Sequence, residues 1–288
     1  MIRRGPPMNL FGKTVLVTGG AKRVGRAIVD QFARAGCHVA VHYRSSQVDA
    51  QKTVEMVAAL NRRAVLVHGD LNDPVAWPAI ITKTVSELGG LDILVNNASY
   101  FEPSSAIASE SESQFDRSSS ARPEPRASAR ATPSASESQA FSMPDFDASE
   151  WDQMFRVNTI APAALAHHAR PHLEAHGNGR IINLCDISAE RPWPSYLSYC
   201  ASKAALVAVT KGLARAFAPT ITVSGVSPGI AVFPDEYPRA LRDAFVARVP
   251  LAREGSPQDI ARLVRFLAES GDYITGQIFS VDGGRSIV

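Results

Sequence analysis

The chain has 288 residues, of which 45% are hydrophobic and 20% are charged, and its formal net charge is +2. Such values are ordinary for a globular protein of one large or two small domains, and they make no case for a nucleic-acid or acidic-lipid partner. No stretch approaches the roughly 20 consecutive apolar residues that a membrane-spanning helix needs, so no membrane partner is expected.

The cysteines and the first residues bear on the compartment. Cys37, Cys185 and Cys200 are odd in number and lack metal-ligand spacing, which is typical of buried thiols in a reducing compartment and predicts no metal site. Residues 1–7 are basic and Pro-rich, without the apolar run of a signal peptide. We therefore expect a cytoplasmic protein in which residues 1–9 form a flexible leader.

The first predicted strand, at residues 13–18, is followed by a glycine-rich turn and an apolar-periodic helix at residues 27–35. Glycine lets the backbone approach a pyrophosphate, and a helix N-terminus supplies N–H groups and the positive end of its dipole. The order strand, turn, helix therefore predicts a phosphate-binding unit, although the turn departs from the Gly-x-Gly-x-x-Gly pattern. Its candidate cofactor contacts are Gly19, Lys22, Arg23, Val24 and Gly25.

The second predicted strand, at residues 38–43, runs into Tyr43-Arg44-Ser45-Ser46. Sites that select NAD usually place an acid here to bond the ribose 2′-hydroxyl, and this segment has none. An arginine and two hydroxyls suit a 2′-phosphate through charge-assisted hydrogen bonds, with Arg23 as a second cation nearby. The segment favours NADPH, and an ordinary polar loop is the alternative.

Strands and helices continue to alternate, with strands at residues 64–68 and 91–95. This alternation predicts an α/β fold, a parallel sheet covered by helices on both faces, and a ligand site beyond the carboxyl ends of the strands. Asp70 and Leu71 follow the third strand, where the acid suits either an adenine amino group or the cap of the next helix. The fourth strand runs into Asn96-Asn97-Ala98-Ser99.

The pattern breaks at about residues 103–143, which are dense in Ser, Ala, Glu, Arg and Pro. With almost nothing apolar to bury, this segment is predicted to be a disordered, low-complexity insertion. A mobile flap over a substrate is the functional alternative to a neutral surface insertion.

Beyond the insertion, a helix predicted at residues 151–169 carries Asn158, which either holds a water, bends the helix or is an ordinary surface residue. A later strand at residues 220–226 precedes Pro228-Gly229-Ile230, a turn suited to lie against a nicotinamide. Residues 234–249 are predicted to form a helical lid over the pocket.

Asp186, Tyr199 and Lys203 form the candidate catalytic set. Tyr199 and Lys203 are four residues apart, so a helix places them on one face, and a neighbouring cation is expected to lower the pKa of the phenol. Asp186 follows an apolar strand and would bring a carboxylate to the same pocket. The alternative is that Tyr-x-x-x-Lys is a common surface spacing.

These motifs together resemble the short-chain dehydrogenase/reductase family over nearly the whole chain outside the insertion. The matching residues are the Thr18-Gly19…Gly25 turn, Asp70, Asn96-Asn97-Ala98, Asn158, Tyr199…Lys203, Pro228-Gly229 and the Ile274-Thr-Gly-Gln…Val-Asp-Gly-Gly284 ending. The resemblance implies a single doubly wound Rossmann-fold domain of about seven strands over residues 10–288. It also implies hydride transfer from a nicotinamide cofactor and a homotetramer.

Two departures from the ordinary family pattern are similar to pteridine reductases: Arg23 stands in the glycine turn, and Asp186 stands where the catalytic serine is usual. Phe101, in Asn-Ala-Ser-x-Phe, is likewise similar to the phenylalanine that stacks a pterin in that family. The resemblance implies NADPH-dependent reduction of a pterin or folate, with Arg23, Ser99, Phe101, Asp186 and Tyr199 at the substrate.

In this interpretation Tyr199 passes a proton to a pterin nitrogen, and Asp186 orients or reprotonates it. Lys203 would bind the nicotinamide ribose, and Asn158 would hold a relay water. The rival is a carbonyl reductase in which Ser188 replaces the usual serine, although it lies only eleven residues before Tyr199. A non-catalytic NADP-sensing regulator is a third possibility.

Overall fold

The computed structural model describes residues 8–101, 146–233 and 237–288. Residues 1–7 of the predicted leader and the predicted insertion at 103–143 lie outside the described residues. The strands are β1 (Thr14–Val17), β2 (His38–Tyr43), β3 (Ala64–His68), β4 (Ile93–Asn96), β5 (Gly179–Leu184), β6 (Ile221–Pro228) and β7 (Ile278–Val281). The helices are α1 (Arg23–Arg34), α2 (Gln47–Ala59), α3 (Ala76–Leu88), α4 (Ala148–Phe155), α5 (Ala161–Glu174), α6 (Leu197–Phe217), α7 (Arg239–Val246) and α8 (Pro257–Ser270).

All seven strands form one parallel sheet in the order β3-β2-β1-β4-β5-β6-β7. The central strands are buried along their whole length, as β1 and β5 illustrate. Strands covered on both faces are mainly apolar on both, which is why β1 is a nearly continuous apolar run and not an alternating one. β5 also carries two buried polar residues, Arg180 and Asn183. The predicted doubly wound sheet is confirmed.

Helices cover the two faces of this sheet. One apolar cluster joins α1, α2 and α8 to one face, with Phe32, Val57 and Val264 at its centre. A second cluster joins α3, α5 and α6 to the opposite face through residues such as Ile80 and Leu165. Strand order reverses between β1 and β4, so the chain leaves these two strands in opposite directions and opens a crevice at their carboxyl ends.

The leader is shorter than predicted. Met8, assigned to it, is only 4% exposed and belongs to the first apolar cluster. Its backbone N–H donates to the Glu269 carbonyl at 3.0 Å, near the end of α8. Burial of the apolar Met8 side chain is favourable, and its backbone N–H is already hydrogen-bonded. Met8 therefore belongs to the folded domain.

The helix predicted at residues 151–169 is interrupted. Residues Arg156–Ile160 form a π-helical turn between α4 and α5, and Asn158 lies in its middle. Such one-turn insertions commonly occur at functional sites. Of the predicted lid, the described part contains α7 at Arg239–Val246, and residues 234–236 lie outside the described residues. No helix in the described ranges is long and apolar enough to cross a membrane.

Candidate active site

A cleft of about 530 Å³ opens at the carboxyl ends of β1, β4 and β5, within the usual size range of small-molecule sites. Most residues predicted from the sequence to bind cofactor or substrate line it. These are Gly19, Lys22, Arg23, Val24, Gly25, Arg44, Asp70, Leu71, Asn97, Ala98, Ser99, Phe101, Asp186, Tyr199, Lys203, Pro228 and Gly229. The topology therefore brings together side chains from the beginning, middle and end of the chain.

The glycine turn between β1 and α1 admits no side chain at its tightest points. A Cβ on Gly25 would lie 2.1 Å from the Gly19 carbonyl oxygen, and Gly19 has φ +63° with Ala98 Cα 3.1 Å from where its Cβ would be. Arg23 has φ +47°, an uncommon conformation for a residue with a Cβ. Backbone strain of this kind concentrates at ligand sites.

Asn97 fastens this turn to the end of β4. Its side-chain Nδ2 donates to the Thr18 carbonyl at 2.8 Å and to the Gly19 carbonyl at 3.2 Å. Its backbone N–H donates to Thr18 Oγ1 at 2.9 Å, as does that of Ala98 at 3.0 Å. The turn is thus held in shape by the amide predicted from the sequence.

The cations at this end of the cleft differ in their partners. Lys22 forms a 3.0 Å ion pair with Asp49. Arg23 and Arg44 line the cleft and form no ion pair with any residue that the structure describes. Two arginines facing a cleft without acid partners favour an anionic ligand. Tyr43, Ser45 and Ser46 lie outside the cleft lining, and the Tyr43 ring instead packs 5.3 Å from that of His68.

Asp186 and Tyr199 are in direct contact. The Tyr199 hydroxyl donates to Asp186 Oδ2 at 2.9 Å, and Asp186 Oδ1 accepts from the Ser188 N–H at 2.8 Å. Asp186 is the extended residue that caps a short 3₁₀ turn, and Tyr199 belongs to the first turn of α6. The geometry forms the acid and phenol pair that the sequence predicted.

The predicted lowering of the Tyr199 pKa is wrong. The pKa is raised well above its ordinary value, first because the phenol is buried, then because the charge of Asp186 lies nearby, and then because the Asp186 carboxylate accepts a hydrogen bond from the neutral hydroxyl. Lys203 Nζ lies 5.8 Å from the ring centroid of Tyr199 and donates to the Leu184 carbonyl at 2.9 Å. Burial also lowers the pKa of Lys203, and the nearby Asp186 charge opposes that shift. The phenol is therefore held neutral, and its hydroxyl donates a hydrogen bond to Asp186.

The Asn158 side chain is fully committed to the loop after β4. Its Oδ1 accepts from the Tyr100 N–H at 2.7 Å and from Ser99 Oγ at 3.2 Å. Its Nδ2 donates to the Tyr100 carbonyl at 2.9 Å and to Ser202 Oγ at 3.1 Å. A side-chain amide has two donors and two main acceptor sites, so none remains for the predicted relay water. Asn158 positions the loop that carries Ser99 and Phe101.

Aromatic rings surround the phenol. Phe101 is 46% exposed, stacks on Tyr196 at 5.1 Å and meets Tyr199 edge-on at 4.8 Å. Trp193 stacks nearly parallel to Tyr199, with ring centroids 6.5 Å apart. Phe101 also lines the cleft, so it offers an accessible apolar face beside the proton donor. Trp193 and Tyr196 were not predicted, and only their closeness to Tyr199 in sequence could have suggested them.

Ser188 does not reach the cleft. It is fully buried and absent from the cleft lining, and its backbone N–H donates to the Asp186 side chain that caps the 3₁₀ turn. Its hydroxyl is therefore unable to polarise a carbonyl bound beside Tyr199. The structure removes the residue on which the carbonyl-reductase alternative relied.

Several residues that line the cleft were not predicted from the sequence. They are His42, Tyr100, Val157, Leu184, Cys185, Ala231 and Val232. Most are apolar or internal to strands, so their type gives no functional signal. Conversely, Ile230, a predicted cofactor contact, does not line the cleft, and its carbonyl accepts from the Gly255 N–H at 2.9 Å. No cluster of His, Cys, Asp and Glu that could hold a metal occurs in the ranges described.

Comparison with protein families gives two matches. A family profile described as short chain dehydrogenase matches residues 13–121, and one described as enoyl-(acyl carrier protein) reductase matches residues 132–286. Among curated proteins, a 3-oxoacyl-(acyl-carrier-protein) reductase of Staphylococcus aureus is 30% identical over 94% of this chain and 97% of its own length. The 4-formylbenzenesulfonate dehydrogenase of Comamonas testosteroni is 30% identical over 97% of this chain and 100% of its own length.

Solved structures give a different substrate class. The alternative dihydrofolate reductase 1 (FolM) of Brucella canis, crystallised with NADP, superposes with a TM-score of 0.78 and 28% identity, covering 98% of this chain and 97% of that one. The corresponding Brucella suis protein, also in complex with NADP, gives a TM-score of 0.75 and 28% identity, covering 96% of each chain.

Proposed function

Since this chain belongs to the short-chain dehydrogenase/reductase family of oxidoreductases, we propose that it reduces a pterin or folate with NADPH. The observation that carries the proposal is the 2.9 Å hydrogen bond from Tyr199 to Asp186 inside the cleft, together with the burial of Ser188 away from it. A carboxylate stands where a ketone reductase needs a hydroxyl.

The residues present fit NADPH. Gly19 and Gly25 have no side chains, so a phosphate can come close to the backbone of the turn. The first turn of α1 offers N–H groups. Arg23 and Arg44 supply positive charge for phosphates. Asp70 and Leu71 line the same end of the cleft and are proposed to face the adenine. The residues proposed to face the nicotinamide half are Asn97, Ala98, Pro228, Gly229 and Lys203. The cofactor, when bound, supplies a hydride.

Tyr199 is the proposed proton donor. Because its pKa is raised by burial and by Asp186, it stays a neutral phenol at physiological pH and holds a proton at Oη. Reduction of a C=N bond requires a proton on the ring nitrogen as hydride reaches the adjacent carbon. Tyr199 gives up that proton, Asp186 orients the hydroxyl through the hydrogen bond that it accepts, and the resulting phenolate takes a new proton from solvent.

Asp186 also bears on which substrates the site accepts. A ketone becomes an alkoxide as it is reduced, and a carboxylate beside Tyr199 would repel that developing charge. A pterin instead takes up a proton on a ring nitrogen, and a carboxylate can accept a hydrogen bond from that protonated nitrogen. The exposed face of Phe101 suits a flat heterocycle, and the Brucella structures are named as dihydrofolate reductases.

The alternative is reduction of a 3-oxoacyl thioester or another ketone, which the Staphylococcus aureus relative supports by its name. Substrate-dependent NADPH oxidation should be followed with dihydrobiopterin, dihydrofolate and acetoacetyl thioester in parallel. Turnover of either of the first two supports the proposal. Turnover of the thioester alone would refute it, and tight NADPH binding with no turnover of any would favour the cofactor-sensing regulator.

The remaining predictions from the family resemblance concern assembly and location. A homotetramer is proposed from it, and mass photometry of the purified chain would test this. A cytoplasmic location is likewise proposed, and localisation of a tagged chain would test it.

A further inference from the structure

His42 lies on β2 with an imidazole only 2% exposed, and both of its ring nitrogens are bonded. Nδ1 is 3.2 Å from the backbone nitrogen of Gly19, in the glycine turn. Nε2 is 3.1 Å from the carbonyl oxygen of Gly69, in the segment after β3. The ring therefore bridges two loops that lie on either side of its own strand.

These two partners determine the tautomer. The Gly19 N–H is a donor, so Nδ1 must accept; the Gly69 carbonyl is an acceptor, so Nε2 must carry the proton. The imidazole is consequently neutral. Burial lowers the pKa of His42 to about 4, which agrees with this assignment from geometry.

The backbone of His42 binds the same turn. Its carbonyl accepts from the Gly20 N–H at 2.9 Å, so the N–H groups of two successive glycines both end on this one residue. Those two amides are occupied, and the amides of the first turn of α1 are the ones left to bind phosphate. By accepting hydrogen bonds from the Gly19 and Gly20 N–H groups, His42 leaves the N–H groups of the first turn of α1 available to a ligand.

The second loop belongs to the cleft as well. Gly69 precedes Asp70 and Leu71, which line it, and the Gly69 N–H donates to the Tyr43 carbonyl at 3.1 Å. The residue after Tyr43 is Arg44, also in the lining. The His42 side chain therefore joins the glycine turn to the loop after β3, and the backbone bond from Gly69 to Tyr43 joins that loop to the end of β2.

We propose that His42 is a positioning residue for NADPH, acting through the Gly19 amide to hold the phosphate-binding turn in its binding shape. This inference rests on the proposed use of NADPH. Because it acts through the turn and not on the reacting atoms, it governs cofactor affinity and leaves the chemical step to Tyr199 and Asp186.

Two substitutions separate positioning from packing, because each retains one of the two hydrogen bonds. In His42→Asn the side-chain oxygen stands near the place of Nδ1 and can accept from Gly19. In His42→Gln the amide nitrogen stands near the place of Nε2 and can donate to Gly69. Both remove the ring, and because Gln is one methylene larger than Asn, a general loss of packing would harm His42→Asn at least as much as His42→Gln.

The dissociation constant of NADPH should be measured by fluorescence titration for wild type and both variants, alongside their melting temperatures and their kcat at saturating NADPH. We expect His42→Gln to weaken NADPH binding about tenfold and His42→Asn no more than about threefold, the difference of one hydrogen bond. The kcat of the two should be similar. Equal weakening in both, or none in either, would overturn the proposal.

A measurement on the wild type covers the case in which a variant does not fold. Long-range ¹H–¹⁵N spectra of the imidazole should show His42 protonated at Nε2 and unprotonated at Nδ1. Protonation at Nδ1 would contradict the contact with Gly19. If wild type binds no NADPH in the titration while the tautomer is as expected, the proposed function fails and not the geometry of His42.

Discussion

At the catalytic end of the cleft the functional groups are side chains withdrawn from solvent, whereas at the phosphate end they are backbone amides and accessible cations. Tyr199 is 7% exposed and Lys203 is 2% exposed, while the side chain of Lys22 is 55% exposed. Charges and hydrogen bonds are stronger where water is excluded and are screened where it is not. Substitutions should therefore have large effects on turnover at the first end and graded effects on affinity at the second.

The sharpest test of this contrast is Tyr199→Phe. The ring would still pack between Phe101 and Trp193, but the proton donor would be gone, so turnover should fall at least about 100-fold. NADPH binding should change by less than about twofold. Steady-state assays with dihydrobiopterin and a fluorescence titration measure the two quantities.

The matched control is Tyr196→Phe, since Tyr196 stacks on Phe101 but does not bond Asp186 in the structure. It should retain turnover within about threefold of wild type. Equal losses in the two variants would mean that the aromatic cluster, and not the proton, is responsible.

Asp186→Asn should lower pterin turnover by more than about tenfold while keeping the shape of the site. Removing the carboxylate charge takes away one cause of the raised Tyr199 pKa, so that pKa should fall. The alkaline decline of kcat/KM should then begin at a lower pH than in wild type. Superimposable pH profiles would disprove the coupling of Asp186 to Tyr199.

At the phosphate end, Arg44→Ala should reduce the preference for NADPH over NADH by about tenfold, the contribution of one charge-assisted contact. Lys22→Ala is the comparison, because Lys22 is already paired with Asp49 and should affect the preference less. The KM values for both cofactors test this. A preference unchanged by Arg44→Ala would mean that the 2′-phosphate binds elsewhere.

The smallest expected effect concerns stability in mild acid. The folded-state pKa of His42 is lowered to about 4 from an ordinary value of 6.5, so protons favour the unfolded chain as pH falls from 6.5 towards 4. At pH 6 this should cost about 0.8 kcal/mol of the free energy of unfolding. Urea denaturation of wild type and His42→Asn at pH 7.5 and 6 measures it, because the variant lacks this group and the other titrations cancel.

Much of the fold followed from local patterns. β2 and β3 have the predicted bounds, and most other elements agree to within a few residues. A buried parallel strand and a helix with one apolar face each produce a recognisable pattern of apolar residues along a continuous stretch of sequence. The helix interrupted by the π-helical turn at Arg156–Ile160 is the exception. Asn158, in the middle of that turn, is hydrogen-bonded to Tyr100 and Ser202, partners far away in the chain that a local pattern does not reveal.

The sequence by itself determined the α/β fold, the glycine turn, and the set of Asp186, Tyr199 and Lys203, since these depend on residue type and spacing. Only the tertiary structure decided that Asp186 accepts a hydrogen bond from the Tyr199 hydroxyl, that Ser188 is buried, and that His42 accepts a hydrogen bond from the Gly19 N–H. The direction of the Tyr199 pKa shift was also decided only by the tertiary structure. A pKa depends on how many atoms exclude water and on which charges lie nearby, and both are sums over neighbours that folding brings from separate parts of the chain.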